Sequence, residues 1–163
     1  MKPLTLIDYR HPATGFGLPL PRIWELTEDP QPGVALTAVE PQGELAFRAN
    51  LVVTVDDLEP DTDLEAWQDD CEAMMPDVLS GYQLLDRELS TDGTHPVLRR
   101  LAHHDGNGTA SITMEQWALL VDGRGYTVTG SVATGGYADV TDMFTEIASR
   151  LRPDRGGHRE GSR

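Results

Sequence analysis

The histidines and the lone cysteine are the residues of this 163-residue chain best suited to chemistry. His103-His104-Asp105, with His95 eight residues before His103, has the side chains of a transition-metal site. Its spacing argues against one. Neighbours in a strand point to opposite faces, so His103 and His104 cannot easily chelate the same ion. A wet strand end accounts for the triplet without metal. Cys71 would be a nucleophile only with a base beside it and a lowered thiol pKa. It falls instead on an apolar helical stripe with Met74 and Met75, which reads as a structural thiol.

Asp57, Glu59, Asp61 and Asp63 repeat at every second position, as the ligands of a calcium loop do. Thr62 stands at the sixth position, where such a loop needs glycine, and Gln68 at the twelfth, where it needs glutamate. This is not an EF-hand. Lys2 is the only lysine, which removes a P-loop and any convincing Schiff-base site. Gly106-Asn107-Gly108 belongs to a hairpin tip and lacks the strand-to-helix setting of a dinucleotide fingerprint. Neither G-x-S-x-G nor H-E-x-x-H occurs. The residues therefore predict no catalytic centre, no cofactor and no metal.

Charge is the strongest compositional signal. The formal net charge is −14, a field that repels phosphate backbones and disfavours nucleic acid as a partner. From Ala49 to Asp86 there is no lysine or arginine. The acids Asp56, Asp57, Glu59, Asp61, Asp63, Glu65, Asp69 and Asp70 form the candidate docking surface for a basic protein partner. The competing reading is a solvated face that only keeps the chain in solution. Arginine outnumbers lysine twelve to one, which suggests a GC-rich bacterial source of the actinobacterial kind. One cysteine excludes an internal disulfide. No run approaches the length needed to span a bilayer, and no leader pattern is present, so a cytoplasmic location is expected unless an export signal precedes the chain.

The elements that would position these residues follow from periodicity. Residues 1–15 mix Pro, Gly and polar types and read as a loosely held arm. Pro19 and Pro21 exclude a helix or central strand over Phe16–Trp24, leaving an edge segment anchored by Trp24. Glu28–Gly33 reads as a turn. Strands are predicted over Val34–Glu40 and Phe47–Val55, the second with Ala49, Leu51, Val53 and Val55 on one face. A helix follows, with Thr62 and Glu65 as a capping box, a stripe of Leu64, Trp67, Cys71 and Met74 or Met75, and an end or kink at Met75 before Pro76. Four strands come next, over Tyr82–Leu89, His95–His104, Ser111–Val121 and from about Arg124 to Ala133. Asp122-Gly123 marks a two-residue type I′ hairpin. A last helix runs from about Ala138 to Leu151 and stops at Pro153. Residues 154–163 have nothing to bury and are expected to be disordered.

The order of these pieces resembles the PsbP/Mog-like fold, in the style of the bacterial LpqN and DcrB proteins. The resemblance rests on Phe16, Leu18-Pro19 and Trp24, on Phe47-Arg-Ala-Asn-Leu-Val-Val53, on Tyr82-Gln-Leu-Leu85, on Asp122-Gly-Arg-Gly-Tyr126, and on Phe144 and Ile147 before Arg152-Pro153. Together these span residues 16–153. Leu20-Pro21 departs from the pattern, and no lipobox cysteine lies near the N-terminus. The resemblance implies a single α+β domain over 16–153, an antiparallel sheet of about six strands with the mid-chain and C-terminal helices packed on it. It implies no shared catalytic centre. Relatives bind other proteins: a GTPase, a photosystem subunit or the hydrophobic segments of secreted effectors.

The expected function is accordingly a non-enzymatic protein-binding adaptor or chaperone-like module, monomeric or weakly dimeric, with a link to secretion or an effector as the finer expectation. The alternative is a small-molecule carrier or enzyme with a pocket between sheet and helices.

Overall fold

Alternating runs of Val, Leu, Ala and Thr build much of this chain into strands, because one face of each run can be buried while the other stays wet. The computed structural model describes residues 4–44, 46–106, 108 and 110–153; Lys2 and the tail expected to be disordered, 154–163, lie outside them. The strands are β1 (Leu6–Arg10), β2 (Gly17–Pro21), β3 (Glu25–Gln31), β4 (Val34–Val39), β5 (Asn50–Asp57), β6 (Gln83–Ser90), β7 (Val97–Asp105), β8 (Ser111–Val121) and β9 (Arg124–Ala133). Helix α1 (Leu64–Val78) joins β5 to β6, and α2 (Tyr137–Ser149) follows β9 after one 3-10 turn. β1 and β2 form a separate hairpin, and the rest make one seven-stranded sheet in the order β3-β4-β5-β9-β8-β7-β6. Every neighbouring pair is antiparallel. The fold is α+β, an antiparallel sheet with two helices packed on it.

The two helices take opposite faces. A Cβ on Gly125 of β9 would meet the ring of Trp67 from α1, whereas one on Gly130 would meet the ring of Phe144 from α2. Odd and even positions of one strand point opposite ways, so these glycines mark the two seats. The main core lies on the α2 side, where Leu36, Leu51, Val53, Tyr126, Val128, Phe144 and Ile147 are buried with Phe16, Leu18 and Leu20 of the hairpin. Each such side chain contributes about 1.5–3 kcal/mol by leaving water. Asp122 and Gly123 take φ of 51° and 78°, the left-handed pair that a type I′ turn requires.

Several sequence expectations are corrected. The sheet has seven strands rather than about six, because β3 runs through most of the segment read as a turn; Asp29, at φ 48°, and a register shift absorb Pro30. The 1–15 arm is not loosely held across its described part. Leu6–Arg10 pairs with Gly17–Pro21, and His11 is wholly buried. Helix α1 is capped by Asp63, whose carboxylate accepts from the Ala66 N–H at 3.0 Å. Thr62 lies one residue before the cap, and its hydroxyl instead closes the preceding turn, donating to the Glu59 carbonyl at 2.7 Å. Nor does α1 end at Met75. Pro76 removes only its own N–H, and the helix closes through the Leu79 N–H on the Met75 carbonyl at 2.8 Å.

Candidate functional site

Strand β7 carries adjacent arginines, and pleating sends them to opposite faces of the sheet. Arg100 is 1% exposed beneath α1. It donates to the side-chain oxygens of Gln68 and Gln116, each at 3.0 Å, to the Gln68 carbonyl at 3.2 Å, and to Glu72. Glu72 also accepts from Tyr82, and burial together with that hydrogen bond pushes the Tyr82 phenol up. Arg99 faces α2, where its Nε donates at 2.6 Å to Glu115, itself 1% exposed. Tyr137 and Thr141 of α2 donate to the same carboxylate at 3.2 and 3.3 Å. Strand β7 is thus tied to α1 by the Arg100–Glu72 pair and to α2 only through Glu115 of β8, which pairs with Arg99 and accepts from Tyr137 and Thr141. The sequence held a signal for the first: Arg100 sits between Leu98 and Ala102 at an inward position, and Gln68 and Glu72 flank the α1 stripe.

Outside β7 lies β6, an edge strand paired on one side only. Of its residues only Arg87 is half-buried, and Leu84, Leu85 and Leu89 are exposed. Among the described residues no further main-chain hydrogen bond reaches it. Asp86, Glu88 and Ser90 share the α2 face with Arg99 and Val97, while Arg87 and Leu89 share the α1 face with Arg100 and Leu98. A groove of roughly 450 Å³ opens on the α2 face between this edge and α2. Val97, Trp117 and Leu119 line its sheet side, Ala148 and Leu151 the helix side, and Glu88 stands at the strand edge.

The eight predicted docking acids are not a uniform surface. Asp63 caps α1, Asp69 is 2.7 Å from Arg87, and Asp57 is 3.5 Å from Arg124. Glu59, Asp61, Glu65 and Asp70 are exposed. Asp56 is half-buried at the end of β5, and burial, helped by the charge of Asp57, raises its pKa.

The residues weighed for chemistry are kept apart. Cys71 is half-buried on the α1 side, and burial pushes its thiol up despite the nearby Arg100, which favours the unreactive protonated form. His103 pairs in register with Gln83, while His95 lies beyond the far end of β7 beside the groove. The Nδ1 of His104 lies 3.1 Å from the Asp105 carbonyl. Among the described residues no group of three His, Cys, Asp or Glu side chains could hold a metal ion.

His11 escaped the sequence reading, since a histidine between Arg10 and Pro12 has no periodic signal. Its Nε2 is 3.1 Å from Asp29, its Nδ1 is 2.9 Å from the Thr14 hydroxyl, and its ring stacks on Phe16 at 5.1 Å. An acid–imidazole–hydroxyl line suggests a nucleophile, but the Nδ1 lone pair already accepts from the Ala13 and Thr14 N–H groups at 3.2 and 3.0 Å. It has no capacity left to take the hydroxyl proton. His11 is a clasp, holding the hairpin to β3.

A sheet carrying one helix on each face, with its N-terminal hairpin folded over the core, is the architecture of the PsbP/Mog-like fold, and this chain has that fold. No model of a known protein family matches it, and neither does any curated protein. Among solved structures it is similar to the cyanobacterial PsbP (CyanoP) of Synechocystis, with TM-score 0.72, 18% identity, and 93% of this chain and 94% of that one covered. LpqN of Mycobacterium tuberculosis, involved in cell envelope biogenesis, is similar with TM-score 0.64 and 15% identity over 91% and 90%. The Ran-binding protein Mog1p of Saccharomyces cerevisiae follows with TM-score 0.62 and 10% identity over 93% and 96%.

Proposed function

We propose that this chain is a non-enzymatic protein-binding adaptor or chaperone-like module whose partner is basic. The observation that carries the reading is Leu84, Leu85 and Leu89 exposed on an open strand, next to a helix edged with acids. Apolar side chains left in water beside charge mark interaction surfaces. Glu59, Asp61, Glu65 and Asp70, all exposed, supply the steering field. The Ran-binding role of Mog1p supports a protein-interaction role at the level of the fold. A link to secretion or an effector is the finer form of the proposal, and no helix among the described residues is long and apolar enough to cross a membrane.

Capture from source lysate tests it, comparing the natural chain with a Glu65→Lys, Asp70→Lys variant. The natural chain is expected to retain a specific protein at about 0.05 M salt and release it at about 0.5 M. The variant is expected not to retain it. Identical recoveries for both chains at every salt concentration would remove the acidic surface from the proposal.

The groove against α2 supports a second reading, a small-molecule carrier. A thermal-shift screen of metabolites decides it. A ligand at about 100 times its dissociation constant adds ~2.7 kcal/mol of stability, and a flat screen rejects the carrier.

A further inference from the structure

We infer that the β6 edge accepts an extended segment of the partner as an eighth strand, and that this segment is basic where it faces the groove. The inference rests on the protein-binding reading above and specifies how binding occurs. An edge strand presents a row of unpaired N–H and C=O groups that an incoming chain can complete. The other edge, β3, is unsuited to this. Pro30 lacks an N–H, the register shifts there, and side chains of the N-terminal hairpin hold Glu28 and Asp29. β6 contains no proline, and its own register shift, between Leu84 and Asp86, leaves Asp86–Ser90 in unbroken pairing with β7.

The side chains of this run specify the occupant. On the groove face stand Asp86 and Glu88. Asp86 is shared with Arg99 at 3.1 Å, and Glu88 makes no ion pair among the described residues. An incoming strand therefore gains from a cation opposite each. Beyond them Ser90 borders the groove, and a residue opposite it can reach toward Trp117 and Val97. On the other face Leu89, 43% exposed, calls for an apolar neighbour. Arg87 is already satisfied by Asp69 and asks only for a neutral residue. Read antiparallel to β6 from Ser90 to Asp86, the complementary pattern is apolar, apolar, basic, neutral, basic. A second copy of this chain fits poorly. Pairing β6 with itself about Arg87 sets Asp86 against Glu88 twice, and like charges directly opposite are destabilising.

The test uses the full chain and a capped peptide with the core Phe-Val-Lys-Thr-Lys, followed by amide hydrogen exchange and titration. The expected result is new protection of alternate amides within Asp86–Ser90. Peptide N-methylated on its pairing edge is expected to bind about tenfold more weakly or worse, because strand addition draws its affinity from the main chain. A Glu-for-Lys peptide is expected not to bind. Equal binding of the methylated peptide overturns strand addition, as does protection confined to α1, although the latter leaves protein binding by the acidic face standing. Protection of β6 that grows with protein concentration and needs no peptide would make the occupant a second copy and overturn the proposal. No binding of any peptide overturns it too, while the lysate comparison judges the broader reading separately.

Discussion

The two ends of the sheet are finished differently. At the β3 end, the hairpin folds over the core side, Tyr9 donates to Glu28 at 2.9 Å, and His11 clasps Asp29. At the β6 end the strand is bare, yet the strand behind it is fixed to α1 by Arg100 and to β8 by the Arg99–Glu115 pair, on which α2 rests through Tyr137 and Thr141. An edge left open through looseness would show few buried contacts behind it. This one is open and firmly backed, which sets it apart from a frayed margin and is what the proposed docking edge requires.

Arg100→Ala gives the hardest test of that contrast. It would leave Glu72 as a carboxylate without its buried cation and strand the Gln68 and Gln116 oxygens. Loss of one partner of a buried pair costs about 3–5 kcal/mol, readable as a fall in the urea midpoint. A loss near zero would mean the β6 end is simply the looser one. His11→Ala probes the other end. It removes a fully buried ring stacked on Phe16 together with its hydrogen bonds, and about 2–4 kcal/mol is expected. If proteolysis and hydrogen exchange of β1 are unchanged in this variant, the clasp does not hold the hairpin.

How much of this was legible follows the same division. The α2 side follows from its alternation: Leu51 and Val53, Tyr126 and Val128, and the Phe144–Ile147 stripe are apolar, and the burial of apolar surface is what sequence periods report. β8 and β9 begin and end where their turns place them, because Asp122-Gly123 fixes the register. The α1 side buries Trp67, Leu98, Ala102 and Met114, but its centre is held by Arg100, Glu72, Gln68 and Gln116, polar residues that a pattern search assigns to solvent. β1 and β3 were lost for another reason. The charges of β1, Pro12 just after it and Pro30 within β3 are turn signals, overridden here by hairpin pairing with β2 and β4. The acids of the candidate site were visible as composition, but their separate uses in a cap, two ion pairs and an exposed fringe were not.

Asp56→Asn sharpens the comparison through pH. Burial, then the Asp57 charge, raises the Asp56 pKa in the folded chain. A raised carboxyl pKa means that the folded state binds its proton more tightly than the unfolded state does. The stability from that proton is complete below the unfolded value of about 3.9 and is lost as pH rises through the higher folded value. At pH 7 the ionised group is therefore a burden, and the asparagine variant should be the more stable of the two, by a margin that solvent screening keeps small. The advantage should vanish below about pH 4. A variant less stable than the parent at pH 7 would show Asp56 to be a structural anion, and would weaken the view that this fringe of acids is carried for a partner at some cost to the fold.

Leu89→Ser has the smallest expected effect on folding and bears most directly on the open edge. Leu89 is exposed at an edge, so little apolar area leaves the core with it, and a change within about 0.5 kcal/mol is expected. Its register partner on β7 is Leu98, which is buried and does not depend on Leu89 for its neighbours in β8. Stability and binding should therefore come apart at this position. The urea midpoint stays in place, and affinity for the Phe-Val-Lys-Thr-Lys peptide falls several-fold as the apolar pair across the new strand junction is lost. If the midpoint falls as far as it does for His11→Ala, Leu89 is part of the structure that closes the sheet, and the two ends are finished alike after all.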